Sequence, residues 1–122
     1  MNYNHPGGKL RRSGPSTCTE KELLAIIINT GTKKLNAEEI AQKLIDKFGT
    51  IYNLAGKTLK ELMEVEGIGE VKATQLAAIF ELTKRIVRHI ESEWYMKKEF
   101  EQKVNSLFNF KRGYSWIHWN LL

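Results

Sequence analysis

Between residues 66 and 70 the chain reads Glu66-Gly67-Ile68-Gly69-Glu70, and these side chains and amides are the ones best placed to do chemistry. Two glycines around one aliphatic residue allow a turn so tight that several backbone amides point outward together. A long helical pattern begins at Val71, so those amides sit at a helix N-terminus, where the dipole favours an anion. In this reading the amides of Gly67, Gly69, Glu70 and Val71 hold a phosphate oxygen, Ile68 plugs the space between the two helices, and Lys72 supplies a cation. Glu66 and Glu70 flank the site and would repel a phosphate if their carboxylates turned inward. A contact made by main chain grips a nucleic-acid backbone without reading bases, so the expected binding is weak and independent of sequence. The competing reading is a tight corner between helices that serves packing alone.

The elements that must position this turn are helical. Thr19-Glu20-Lys21-Glu22 has the spacing of a capping box, in which a hydroxyl and a carboxylate satisfy each other's free amides, and Leu23, Leu24, Ile27 and Ile28 follow. Asn36 and Glu39 repeat that spacing before Ala37, Ile40, Ala41, Leu44, Ile45 and Phe48, which fall on one helical face closed by Gly49. A short connector around Ile51, Tyr52 and Leu54 leads to Gly56. Thr58 to Glu61 is a third capping box, and it opens a brief helix that ends at the glycine turn. From Val71 to about Ile90 a last helix should bury Leu76, Ile79, Phe80, Thr83, Val87 and Ile90 and expose Glu81, Lys84, Arg85 and Arg88. No segment alternates with the period of a strand.

The predicted fold is therefore all-α, a five-helix bundle of two tandem helix–hairpin–helix-like units with an aromatic and basic C-terminal extension. Helix, glycine turn, helix occurs over 20–48 and again over 59–90. In the first turn Thr30, Gly31, Lys33 and Lys34 stand where a second phosphate contact would be made, although it has one glycine and lacks the Gly-aliphatic-Gly signature. A purely structural first turn is the alternative. Residues 1–18 carry His5-Pro6-Gly7-Gly8, Gly14-Pro15, Lys9, Arg11 and Arg12 and predict an extended basic arm; 19–90 form the helical domain; 91–122 form the extension. In that extension Trp94, Tyr95, Phe100, Phe108, Phe110, Tyr114, Trp116 and Trp119 alternate with Lys97, Lys98, Lys103, Lys111 and Arg112. Such mixtures stack on single-stranded nucleic acid. They equally form a helix that packs on the core or on a second copy, in keeping with the usual place of aromatics.

Composition narrows the partner. With 122 residues, 42% hydrophobic and 27% charged, the chain has enough for one modest core. Its net charge of +5 and isoelectric point near 9.4 favour an anionic partner, and nucleic acid or an acidic membrane would both satisfy it. Cys18 is the single cysteine, so no internal disulfide forms and a reducing compartment is expected. The run from Leu23 to Ile28 is too short to cross a bilayer. The expected setting is cytoplasmic, with no membrane partner.

Gly14-Pro15, Glu22-Leu23-Leu24-Ala25-Ile26, Thr30-Gly31-Thr32 and Glu66 to Ala73 together resemble the N-terminal region of bacterial RadC-like proteins. The likeness runs from about Gly8 to Ile90. It implies a DNA-binding helical region associated with DNA repair. In full-length members this region is followed by a domain similar to MPN-type metal-dependent isopeptidases, whose zinc is held by a His-x-His pair and a downstream aspartate. Here His5, His89 and His118 are scattered and Asp46 is the single aspartate, so the ligands for that centre do not converge. In related glycine hairpins carbonyls hold a monovalent cation that bridges to phosphate, and Val65 and Gly67 are the matching positions. No other cofactor is expected.

Enzyme classes fall away on the residues. Gly67 to Lys72 lacks the third glycine of a dinucleotide fingerprint and follows a helix instead of a strand. Helix–hairpin–helix glycosylases use an aspartate downstream of the hairpin, whereas Asp46 precedes it. Two functional classes remain: a non-catalytic DNA-binding module, or a helical module for protein interaction or self-association through the C-terminal aromatics, with an architectural glycine turn.

Overall fold

The computed structural model describes residues 5–91 and 95–107. In order these form α1 (Pro6–Ser13), a 3₁₀ turn (Pro15–Thr17), α2 (Glu20–Ile28), α3 (Ala37–Phe48), α4 (Ile51–Leu54), α5 (Leu59–Met63), α6 (Glu70–Glu91) and α7 (Met96–Ser106). No strand occurs among the described residues, and the fold is all-α. The chain divides into two compact units, one spanning Glu20–Ile86 and the other gathering the chain up to Thr19 and from Val87 onward.

In the Glu20–Ile86 unit, caps set where helices begin. Asn36 Oδ1 accepts from the Glu39 amide at 2.8 Å, while Glu39 Oε1 accepts from the Asn36 amide at 2.9 Å. Thr58 and Glu61 repeat the arrangement at α5, each amide donating at 3.1 Å to the other's side chain. Thr50 Oγ1 accepts from the Asn53 amide at 3.1 Å ahead of α4. Each bond satisfies a first-turn amide that has no intrahelical acceptor. Gly49 closes α3 with φ of 90°, a conformation open to glycine, and donates to the Ile45 carbonyl at 2.7 Å.

The core is built from the predicted faces. Leu24, Ala25 and Ile28 of α2 meet Ile40, Ala41 and Leu44 of α3, Leu54 of α4, Leu62 of α5, Val65 and Ile68 of the following turn, and Ala73 and Leu76 of α6. Ile27, Leu35, Ile45, Phe48, Ile51 and Phe80 pack around it, half-buried. Leu23, Ile27, Ile51, Tyr52, Ile79 and Phe80 also line an apolar groove of about 430 Å³ between α2, α4 and α6.

The expected apolar face of α6 is only partly covered. Leu76 is buried and Ile79 and Phe80 are half-buried, but Thr83 is exposed and Val87 is 44% exposed. Val87 and the residues of α6 after it belong to the other unit.

In the other unit, the extended conformation predicted for the N-terminal arm gives way to α1. Pro6 occupies the first helical turn, where its missing amide costs nothing, and His5 Nδ1 accepts from the Gly7 amide at 3.2 Å. Gly14, at φ 92°, ends the helix and donates to the Leu10 carbonyl at 2.8 Å. The same prolines and glycines that suggested a loop serve here as start and stop. Cys18 is a half-buried free thiol. In the C-terminal extension, Tyr95, Lys97, Lys98, Phe100 and Lys103 belong to α7 or its flank. Trp94, Phe108, Phe110, Lys111, Arg112, Tyr114, Trp116, His118 and Trp119 lie outside the described residues.

Two outcomes follow. Gly67 has φ of 94°, and a Cβ there would come 2.7 Å from Ile40 Cδ1 and Cγ1. Gly67→Ala should therefore lose about 1–3 kcal/mol, close to the 2–5 kcal/mol expected of Leu44→Ala. Gly69→Ala, with open space around its Cβ, should lose at most about 1 kcal/mol; urea denaturation reads all three. The second outcome concerns acid. Hydrogen bonds from the Thr58 amide, then from its hydroxyl, hold the Glu61 carboxyl below the usual glutamate range, and Lys57 and Lys47 add to this. A depressed folded pKa contributes stability above the unfolded value, and that contribution is lost as pH falls through the folded value. Denaturation at a series of acidic pH values should show a shallower loss for Glu61→Gln than for the unaltered chain.

Candidate nucleic-acid interface

The turn between α5 and α6 alternates inward and outward residues. Val65 is buried, Glu66 is exposed, Gly67 abuts Ile40 of α3, Ile68 is buried, and Gly69 is exposed. The Ile68 amide donates to the Val65 carbonyl at 3.0 Å, closing the turn. Ile68 thus sits where its predicted role as a plug requires, 4% exposed between the helices.

Gly69 stands immediately before α6, and its carbonyl accepts the Ala73 amide at 3.0 Å. It has no side chain with which to cap the helix. Nor does the fold demand glycine here: Gly69 is absent from the positive-φ positions, and a Cβ would meet nothing within 4 Å. Among the described residues, no acceptor reaches the amides of Glu70, Val71 and Lys72. The side chains around this opening are exposed Glu70, Val71 at 71% exposure, and half-buried Lys72, which has no ion-pair partner among the described residues. Amides without an internal acceptor, a positive helix end and a lysine thus belong to the same first turn of α6.

Of the two predicted carboxylates, Glu66 is drawn toward α3, with Lys43 Nζ 3.8 Å from its Oε1. One helical turn further, Lys47 Nζ lies 3.4 Å from Glu64 Oε2. Lys43, Asp46, Lys47, Val65 and Glu66 line an open cleft of about 350 Å³.

The first turn, between α2 and α3, is organised differently. Asn29 takes φ of 66° to end α2, and the Thr30 amide donates to the Ile28 carbonyl at 2.8 Å. Gly31 is required by crowding, since a Cβ would lie 2.6 Å from Asn36 Cα. Thr32 organises the rest: its amide donates to the Leu35 carbonyl at 2.7 Å, and its Oγ1 accepts the Lys34 amide at 3.2 Å and the Leu35 amide at 3.1 Å. α3 begins at its own capping box, which takes up the Asn36 and Glu39 amides. Lys33 and Lys34 are exposed. Thr32 carries the turn; it stands in the Thr30-Gly31-Thr32 segment of the resemblance but not among the candidate phosphate contacts, and a threonine three residues before an apolar position was the available signal for its role.

Among the described residues, no three His, Cys, Asp or Glu side chains are grouped to hold a metal ion. No helix among them is long and apolar enough to cross a membrane.

The family model described as UPF0758 N-terminal matches residues 2–74. A UPF0758 protein of Pelodictyon phaeoclathratiforme is 48% identical over 83 residues, covering 68% of this chain and 37% of that protein. One from Aliivibrio salmonicida is 41% identical over 91 residues, 74% of this chain and 41% of its own length. A more distant one from Thermotoga maritima is 37% identical over 87 residues, 70% of this chain and 39% of its own. The chain thus matches about two fifths of the length of these relatives. No solved structure matches it significantly. The matched span takes in α1 to α5, the glycine turn and the start of α6, and by it the chain belongs to the UPF0758 family, as the N-terminal region of a RadC-like protein.

Proposed function

We propose that the Glu20–Ile86 unit is a non-catalytic module that binds DNA through its phosphate backbone, without regard to sequence. The turn from Glu64 to Gly69 acts as the hairpin of a helix–hairpin–helix. One observation carries this reading: α6 starts from a glycine that neither backbone strain nor crowding requires, and among the described residues no acceptor reaches the amides of Glu70, Val71 and Lys72. A serine, threonine, asparagine or aspartate would serve the helix better, as Asn36, Thr50 and Thr58 do at α3, α4 and α5. Glycine there is explained by an external acceptor that must approach the backbone closely.

In this reading a phosphate oxygen takes the Glu70, Val71 and Lys72 amides, Gly67 and Gly69 keep the approach clear, and the Lys72 ammonium neutralises charge. Lys33 and Lys34 add longer-range attraction through side chains alone. The family's association with repair accords with backbone recognition that ignores sequence. A helical interaction module is the second reading, and its support is the apolar groove walled by Leu23, Ile27, Ile51, Tyr52, Ile79 and Phe80.

Fluorescence anisotropy of labelled duplex, single-stranded and forked DNA, titrated with salt, separates the two. A dissociation constant on the order of 10⁻⁴ to 10⁻⁶ M is expected, with a logarithmic salt slope of about −0.9 per neutralised phosphate. Lys72→Glu should weaken binding to every DNA and reduce the slope by about one. Affinity indifferent to Lys72→Glu would favour the interaction module.

A further inference from the structure

The hairpin has an electrostatic problem that its own residues do not solve. Glu66 adjoins Gly67, and a glutamate side chain is long enough to bring its carboxylate to the mouth of a neighbouring amide cluster. There it would compete for the same donors and repel an incoming phosphate. The solution lies on α3. Lys43 Nζ is 3.8 Å from Glu66 Oε1, and both side chains are about half exposed, 46% and 56%, so neither is held by the core. Two residues earlier, Glu64 pairs with the same helix, Lys47 Nζ lying 3.4 Å from its Oε2.

We propose that Lys43 is a positioning residue for backbone binding: it holds the Glu66 carboxylate on the α3 side of the hairpin and cancels its charge there, removing one of the two carboxylates that flank the Gly67–Lys72 opening. This rests on the DNA reading above. Lys43 acts through Glu66 and does not itself touch the phosphate. An exposed pair of this kind adds little to folding stability. Its effect falls on the ligand, because a released carboxylate next to Gly67 stands within a Debye length of the bound phosphate, about 10 Å at 0.1 M salt.

The test is a mutant cycle on the full 122-residue chain, read by anisotropy with a labelled duplex at low and moderate salt. Lys43→Gln should weaken binding roughly two- to fivefold. Adding Glu66→Gln should restore affinity to that of Glu66→Gln alone. Adding Glu64→Gln instead gives the same net charge but leaves Glu66 released, and should not restore it. Each variant's thermal unfolding checks that the fold is unchanged. Equal rescue by both second substitutions would mean that net charge alone matters, and rescue by neither would mean that Lys43 meets the phosphate directly. Either result overturns the proposal, as does full affinity in Lys43→Gln. Lys72→Glu measured alongside separates the two levels. If it weakens binding while Lys43→Gln does not, this inference alone fails; if it has no effect, the hairpin reading falls and takes this one with it.

Discussion

The contact between Gly67 and Ile40 is the constraint on which the rest of the candidate interface depends. Ile40 is fully buried on α3, and its side chain occupies the space a Cβ on residue 67 would need. Glycine's freedom at positive φ and its missing side chain are used at the same point. Because the turn can lie that close to α3, Val65 and Ile68 reach the core on either side of it, and Gly69 is left facing out. The starting point and exposure of α6 follow from that packing. So does the location of its uncapped amides.

Two turns built from similar residues have opposite hydrogen-bond economies. A backbone amide at a helix start must find an acceptor in the protein, in water or in a ligand. In the first turn Thr32, Asn36 and Glu39 supply acceptors from within for the Lys34, Leu35, Asn36 and Glu39 amides. In the second, Gly69 supplies none. Capping stabilises a helix and closes it to ligands, whereas an open start forgoes some local stability and keeps the dipole available. The same trade appears in the charges: Glu61 is tied down by Thr58 at the start of α5, while Glu66 is held across space by a lysine of another helix.

Much of this was legible from residue spacing. Capping boxes at Asn36–Glu39 and Thr58–Glu61 and the stop at Gly49 involve partners within a few residues, and the α3 face from Ile40 to Leu44 and the plug at Ile68 are apolar positions that the helical period marks for burial. Local reading failed where one residue type has two uses. Pro6 and Gly14 look like breakers but mark the two ends of α1, because proline is tolerated only in a helix's first turn and glycine favours its end. Thr83 and Val87 share the apolar stripe of α6, yet stripe membership says nothing about whether a neighbouring helix extends far enough to cover them.

The sequence by itself determined the helices, their caps and the Gly-Ile-Gly turn, since each depends on φ preferences and on hydrogen bonds between residues three or four apart. Tertiary structure alone decided why each glycine is there: Gly31 to admit the Asn36 backbone, Gly67 to admit Ile40, and Gly69 for no internal neighbour. It also decided that Lys43 faces Glu66, 23 residues away. The physical reason is the same in both cases. Steric exclusion and Coulomb attraction act on distance in space, and the packing of α3 against the turn sets that distance.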